Sequence, residues 1–203
     1  MRPKGWYSRG YLPHYDGGEI LQFVTLHLAD ALPQSLLRRW RIELEQARDE
    51  ERKLELQRRI ERHLDMGAGE CLLGVPEVAA AVQEAIIFRH GKQYKLICWC
   101  LMPNHIHFMF RPKAGFSLSD IMHGLKSYTA HEANKIVGRR GKFWQEDYFD
   151  RFIRDHDHFM KTRDYIELNP VKAGLCSSKY DWPYGSAYQR RADERSALES
   201  VIN

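Results

Sequence analysis

The stretch from Tyr94 to Phe110 constrains the fold more than any other part of the chain. It reads Tyr-Lys-Leu-Ile-Cys-Trp-Cys-Leu-Met-Pro-Asn-His-Ile-His-Phe-Met-Phe, with Lys95 its one Lys, Arg, Asp or Glu and a single break at Pro103-Asn104. β-Formers on both sides of so short a break predict two strands, Tyr94–Met102 and His105–Phe110, joined tightly enough to pair antiparallel. A second β-rich run, Ile20–Ala29, places Ile20, Gln22, Val24, Leu26 and Leu28 on one face. Leu21, Phe23, Thr25 and His27 share the other, so both faces are partly buried and the run predicts a central strand.

Around these strands the spacing turns helical. Pro76–Phe88 is amphipathic, with Pro76 suited to its first turn and Glu77 to its positive end. Ser117–Ile136 places Leu118, Ile121, Met122, Leu125 and Tyr128 on an apolar face behind a Ser117 or Ser119 cap. Phe143–Ile153 alternates as a strand, and Asp155–Asn169 predicts a last helix closed by Pro170 and Gly174. The order strand, helices, two strands, helix, strand, helix suits an α+β fold with helices packed on an antiparallel sheet.

Leu32–Met66 differs in texture. Of its 35 residues 17 are charged, 9 basic and 8 acidic. Leu36, Leu37, Trp40, Leu44, Ala47, Leu54, Ile60 and Leu64 recur at helical spacing, with Ser35 as cap and Gly67 as stop. This predicts one long helix or a helical hairpin with a solvated face and a narrow apolar seam; the near-cancelling charges argue against phosphate binding. Residues 1–18, rich in Gly, Pro and Tyr, read as an extended basic and aromatic arm. One domain is expected over 19–190, with the insertion at 32–66 and a tail at 191–203. The 43% hydrophobic content of the 203 residues supports a packed core. The absence of a long apolar run and of a secretory leader, with four scattered cysteines and no CxxC pair, leads us to expect a cytoplasmic chain with no membrane segment and no structural zinc. A net charge of +4 permits a nucleic-acid partner without requiring one.

Two places carry chemistry. In His105-Ile106-His107 both imidazoles point to one side of the strand, because side chains alternate across a sheet. They are either ligands for a divalent ion or ordinary histidines beside a loop. In the last helix Tyr165 and Asn169 are four apart and share a face. A Tyr hydroxyl beside an ion is able to attack a phosphodiester, and an Asn carbonyl suits Mg²⁺ or Mn²⁺; the alternatives are a packing tyrosine and a helix-end asparagine. No separate general base stands out. Tyr128 is expected in the core, and Tyr148 as structural or DNA-contacting. His14 and Asp16 are expected in an ordered turn or reaching the site or the DNA, and His156 and His158 exposed or cap-related. Lys135, Arg139, Arg140 and Lys142 form the best candidate phosphate-binding segment. Arg111, Lys113, Arg151 and Arg154 are possible additions, as are Arg2, Lys4 and Arg9 of the arm, which Trp6, Tyr7 and Tyr11 interleave.

In order, Met102-Pro-Asn-His-Ile-His-Phe108, Phe143-Trp-Gln-Glu-Asp-Tyr-Phe-Asp-Arg151, Tyr165-Ile-Glu-Leu-Asn-Pro-Val-Lys-Ala-Gly174 and Asp181-Trp-Pro183 resemble the REP-associated tyrosine transposases. These form a branch of the HUH single-strand transposases. The opening Arg9–Asp16 is also similar, and the likeness is weakest over 32–66. The resemblance implies a ferredoxin-like sheet with the histidine pair on a central strand. It implies Mg²⁺ or Mn²⁺ held by His105, His107 and Asn169, with Tyr165 as the single catalytic nucleophile. It further implies cleavage and rejoining of single-stranded, hairpin-forming palindromic DNA through a 5′-phosphotyrosine, by a nucleoid-associated monomer or homodimer. Two other readings stand beside it: a DNA-binding protein that keeps the fold without catalysis, and a metal-dependent nuclease that uses water.

Overall fold

The computed structural model describes residues 5–8 and 13–202. Its first element is a hairpin of β1 (Gly5–Ser8) and β2 (Pro13–Asp16), so the part of the opening that is described is paired strand rather than an extended arm. Arg2, Lys4, Arg9 and Tyr11 lie outside the described residues. The hairpin is held by His14, fully buried between two carboxylates. Its Nε2 lies 2.7 Å from Asp147 and its Nδ1 bonds Asp150. His14 is therefore a strand residue distant in chain order from its partners, whereas the Asp16 carboxylate closes a local turn by accepting from the Gly18 N–H at 3.1 Å.

The main sheet contains β3 (Gln22–His27), β4 (Tyr94–Leu101), β5 (His105–Pro112) and β6 (Phe149–Phe152), in the antiparallel order β4-β5-β3-β6. Three helices connect β3 to β4: α1 (Gln34–Glu43), α2 (Asp49–Asp65) and α3 (Pro76–Phe88). A single one, α4 (Leu118–Ile136), connects β5 to β6. The chain closes with α5 (His156–Lys172) and α6 (Ser186–Ile202). With α1 and α2 set aside, this is a ferredoxin-like βαββαβ unit with β5 and β3 in the middle. The charged insertion is the hairpin α1–α2, and Pro33 rather than Ser35 caps α1.

Alternation divides the sheet into two faces. Val24, Leu26, Ile106, Phe108 and Phe110 point toward α3 and α4 and form the larger core. Phe108 and Phe110 stack at 5.1 Å and are fully buried, each contributing roughly 2–3 kcal/mol by burial. Phe23, Met109 and the two histidines point to the opposite face, which α5 covers through Ile166. A bulge between Leu96 and Cys98 reverses β4 across the sheet, so Leu96 joins the first core and Cys98 the second although they are two residues apart.

Several local expectations need correction. Tyr128 is not core: it is 51% exposed, with Arg89 over its ring. The strand expected over Phe143–Ile153 is confined to Phe149–Phe152, because Trp144 only bridges Leu28 and Phe143 to Tyr148 form a loop that packs inward. Helix α5 passes through Pro170 to Lys172 and ends at Gly174, whose φ is +71°. Residues expected as a tail from 191 onward continue α6.

Candidate active site at the histidine pair

Register places the site. His105 stands opposite His27, and His107 opposite Thr25, so these four side chains share one face at one end of β5 and β3. His105 and His107 are each 1% exposed, and their Nε2 atoms lie 3.0 Å apart. Both imidazoles point the same way, as alternation requires.

The environment of each ring decides its protonation. Asn104 donates its amide nitrogen to the carbonyls of Leu64 and Ala68 at 3.0 and 2.8 Å. Its Oδ1 therefore faces His105 Nδ1 at 2.7 Å as an acceptor, and Nδ1 must carry the proton. This leaves His105 Nε2 as a lone pair directed at His107. His107 Nδ1 meets the Thr25 hydroxyl at 2.8 Å, a partner able to donate or accept, and its ring stacks on Phe23. Burial holds both histidines in the neutral form, His107 down to about 3 and His105 well below its usual range. Burial also takes His27 down to about 4.

Helix α5 brings Tyr165 and Asn169 to the same place. The Tyr165 hydroxyl lies 3.4 Å from His107 Nε2, and its ring meets His107 edge-on. Asn169 is 1% exposed; its amide is near enough to favour the phenolate, yet neither polar atom has a hydrogen-bond partner. Burial, followed by the charges of Glu61 and Asp65, holds the Tyr165 phenol above its ordinary range. Lys172 sits 5.4 Å from the centre of the Tyr165 ring.

Glu61 and Asp65 come from α2, the insertion expected to be a solvated face. The Glu61 carboxylate lies against the phenol and is raised by burial. Asp65 Oδ1 is 3.9 Å from His105 Nε2 and has no hydrogen-bond partner. Periodicity alone does not separate these two acids from the other six of the insertion. Thr25, by contrast, shares a strand face with His27, and Asn104 directly precedes the histidines, so both were open to closer reading.

The donors fit a divalent ion. A 3.0 Å separation suits two nitrogens at about a right angle on an ion with bonds near ~2.1 Å. A buried amide with both atoms unpaired is an uncommon arrangement that a bound group would relieve. Among the described residues no three His, Cys, Asp or Glu side chains are already gathered as a cage, so oxygen donors from other elements have to complete the set.

The remaining expected DNA contacts divide by position. Arg111 and Lys113 lie at the far end of β5, about 20 Å along the strand from His105, and Lys113 is bonded to the Gly91 carbonyl. Lys135, Arg140 and Lys142 are exposed on the segment that returns to β3, where Phe143 accepts from Ala29 N–H. Arg139 is half-buried and paired with Glu70 at 2.6 Å. Arg154 is exposed before α5, and its backbone N–H meets His158. His156 is exposed, and the His158 N–H is capped by Asp155. Tyr148 is buried against His14 and is structural. Arg151 lines a cavity of about 790 Å³ between the hairpin, β3, β6 and the insertion. Trp6, Tyr15, Phe152, Arg41 and Arg52 share that wall, and Thr25 and Glu61 connect it to the histidine pair. No helix among the described residues is long and apolar enough to cross a membrane.

Comparison with known proteins bears on the fold and the family. The family of IS200-like transposases matches residues 77–169, a span that holds the histidine pair, Tyr165 and Asn169. A Haemophilus influenzae relative bearing the name REP-associated tyrosine transposase is 26% identical over 106 residues, 47% of this chain and 60% of that protein. The REP-associated tyrosine transposase of Escherichia coli strain K12 is 24% identical over 110 residues, 53% of this chain and 64% of the relative. The match thus spans 60% and 64% of the two relatives' lengths. Among solved structures, a REP-associated tyrosine transposase bound to a REP hairpin superimposes with a TM-score of 0.55 at 18% identity, covering 91% of this chain and 86% of that one, a likeness of fold. The ordered motifs, the ferredoxin-like sheet and the match over residues 77–169 together make the chain similar to the IS200-like transposases and, within them, to the REP-associated tyrosine transposases.

Proposed function

We propose that this protein is a metal-dependent endonuclease and strand transferase for hairpin-forming single-stranded DNA, with Tyr165 as nucleophile. The observation that carries the reading is the placement of the Tyr165 hydroxyl 3.4 Å from one of two facing, neutral imidazoles, beside a buried amide without partners. His105, His107 and Asn169 would hold Mg²⁺ or Mn²⁺, which supplies Lewis-acid stabilisation of charge on the scissile phosphate.

The side chains divide the remaining work. Tyr165 Oη forms a bond to phosphorus as the bond to O3′ breaks, leaving a 5′-phosphotyrosine and a 3′-oxyanion that takes a proton from water to become the free 3′-OH. The phenol proton passes to Glu61, a carboxylate that burial already disposes to accept one. Lys172, over the tyrosine ring, offsets the charge that develops there. The phosphotyrosine keeps the diester's free energy, so a 3′-OH can reverse the step and no nucleotide triphosphate is consumed. The cavity walled by Trp6, Tyr15, Phe152 and three arginines suits the unpaired strand, with rings to stack on bases and cations to meet phosphates.

A hairpin-bearing oligonucleotide with an unpaired flank, incubated with protein and Mn²⁺ and run on a denaturing gel, tests the proposal. The expected product is a protein–DNA adduct that is absent with Tyr165→Phe. Cleavage without an adduct, surviving that substitution, would assign the site to a hydrolase that uses water. Binding without cleavage under either ion would leave a DNA-binding protein.

A further inference from the structure

The insertion α1–α2 is fastened to the histidine pair through one side chain. Asn104 holds the end of α2 by the carbonyls of Leu64 and Ala68 while its oxygen orients His105. Leu64 is 1% exposed and packs into the larger core, so the last turn of α2 cannot drift from β5. Asp65, the last residue of α2, lies in this fastened segment. Its Oδ1 faces His105 Nε2 at 3.9 Å, is shielded from solvent, and bonds to nothing in the protein. At 3.9 Å that oxygen is beyond hydrogen-bond reach of His105, whose Nδ1 meets the Asn104 oxygen instead.

A shielded carboxylate oxygen opposite a nitrogen lone pair is an unfavourable arrangement unless a cation lies between them. Lys172 is the cation whose field reaches Asp65, but it stands over the Tyr165 ring. A second orphaned group, the Asn169 amide, is buried on α5 one turn from Tyr165, whose hydroxyl lies 3.4 Å from His107. Asp65 of α2 thus neighbours the histidine pair of β5 without yet forming a closed cage with it, and oxygen donors are what Mg²⁺ and Mn²⁺ select.

We propose that Asp65 is a ligand of the catalytic ion, so that the charged insertion supplies part of the metal site. This rests on the reading of the histidine pair as a divalent-ion site. It gives the insertion a chemical role: one formal negative charge added to an otherwise neutral donor set of two imidazoles and an amide. That charge strengthens hold on the ion before any DNA phosphate arrives.

The test is binding of Mn²⁺ to the full chain without DNA, followed by electron paramagnetic resonance of the free ion and by calorimetry. Wild type is expected to take one Mn²⁺ and His105→Ala none. Asp65→Asn is expected to weaken binding at least tenfold while its melting temperature in EDTA stays at the wild-type value, since Oδ1 has no protein hydrogen bond to lose. Asp65→Cys is expected to raise the preference for Cd²⁺ over Mn²⁺ at least tenfold, because thiolate replaces a hard oxygen. A purely structural role would not move that preference, and an unchanged ratio overturns the proposal. If Asp65→Asn binds Mn²⁺ within twofold of wild type while His105→Ala does not, the proposal falls and the histidine site stands. If wild type takes no Mn²⁺, both fall.

Discussion

Within five residues of α5, two sides of one helix treat buried polarity in opposite ways. Glu167 faces α6 and is satisfied: Arg190 donates to Oε1 at 2.6 Å, Ser186 to the same oxygen at 3.1 Å, and Lys179 to Oε2 at 3.0 Å. Tyr165 and Asn169 face the sheet, where an amide, an aspartate oxygen and a histidine nitrogen are buried without partners. The first arrangement fastens α6 to the domain. The second is destabilising as it stands, and persists where a ligand can supply what the protein withholds. His14, clasped by Asp147 and Asp150, belongs with the first kind.

The sharpest way to break this contrast is to remove a member of the unsatisfied set. His105→Ala is expected to reduce cleavage of the hairpin oligonucleotide to background while leaving its affinity in EDTA close to that of wild type. Gel-shift titration beside the cleavage assay checks this. Loss of affinity together with cleavage would make the pair a DNA-reading or structural element, and the contrast between the two sides would dissolve.

The satisfied clusters should respond in stability instead. Burial lowers the affinity of His14 for a proton, but hydrogen bonds and charge from Asp147 and Asp150 outweigh it and raise the group to about 9. A folded-state value above the ordinary 6.5 means the contribution is complete below pH 6.5 and disappears as pH rises through about 9. The size is about 3 kcal/mol. Urea melts at pH 6 and pH 9.5 should show that loss, and His14→Gln should flatten the difference. Glu167 comes next. Burial alone would raise its carboxyl, yet Arg190 and Lys179 hold it below the usual carboxylate range. Its contribution is present above the ordinary carboxylate value and fades as pH falls through the lowered one. Because Arg190 is about half exposed and can rehydrate, Glu167→Ala should cost about 2 kcal/mol rather than the larger loss of a fully buried pair. Mn²⁺ affinity should not change.

Much of this was legible before any coordinates, and for identifiable reasons. A strand of period two must put His105 and His107 on one side, and a helix must put Tyr165 and Asn169 on one face; both follow from local geometry alone. The pairing of β4 with β5 followed from the tight break at Pro103-Asn104, and helices packed on an antiparallel sheet from the amphipathic runs between strands, whereas the ferredoxin-like arrangement came from the family resemblance. What escaped depended on contacts distant in sequence. Nothing in a charged helix shows which of its acids will be turned inward, so Glu61 and Asp65 looked like solvent-facing residues. Tyr128 sits at core spacing on α4 but falls at the edge of the buried stripe, where Arg89 covers it. The bulge before Cys98 reverses faces without any Gly or Pro to announce it. His14 becomes a lock only when the loop at 147–150 arrives.

The smallest expected effect carries the opposite sign, and for that reason tests the contrast most directly. Asn169 is buried with both amide atoms unpaired, so in the absence of a metal its polar group costs stability and returns nothing. Asn169→Leu keeps the volume nearly constant and removes the unsatisfied atoms. Urea denaturation in EDTA should show it about 1 kcal/mol more stable than wild type. In Mn²⁺ the order should reverse, because binding to the folded state stabilises only the protein that still has the amide donor. If Asn169→Leu is less stable than wild type in EDTA, the amide is already satisfied in solution, by water or by the Tyr165 hydroxyl. The sheet side of α5 would then be no different in kind from the side that faces α6.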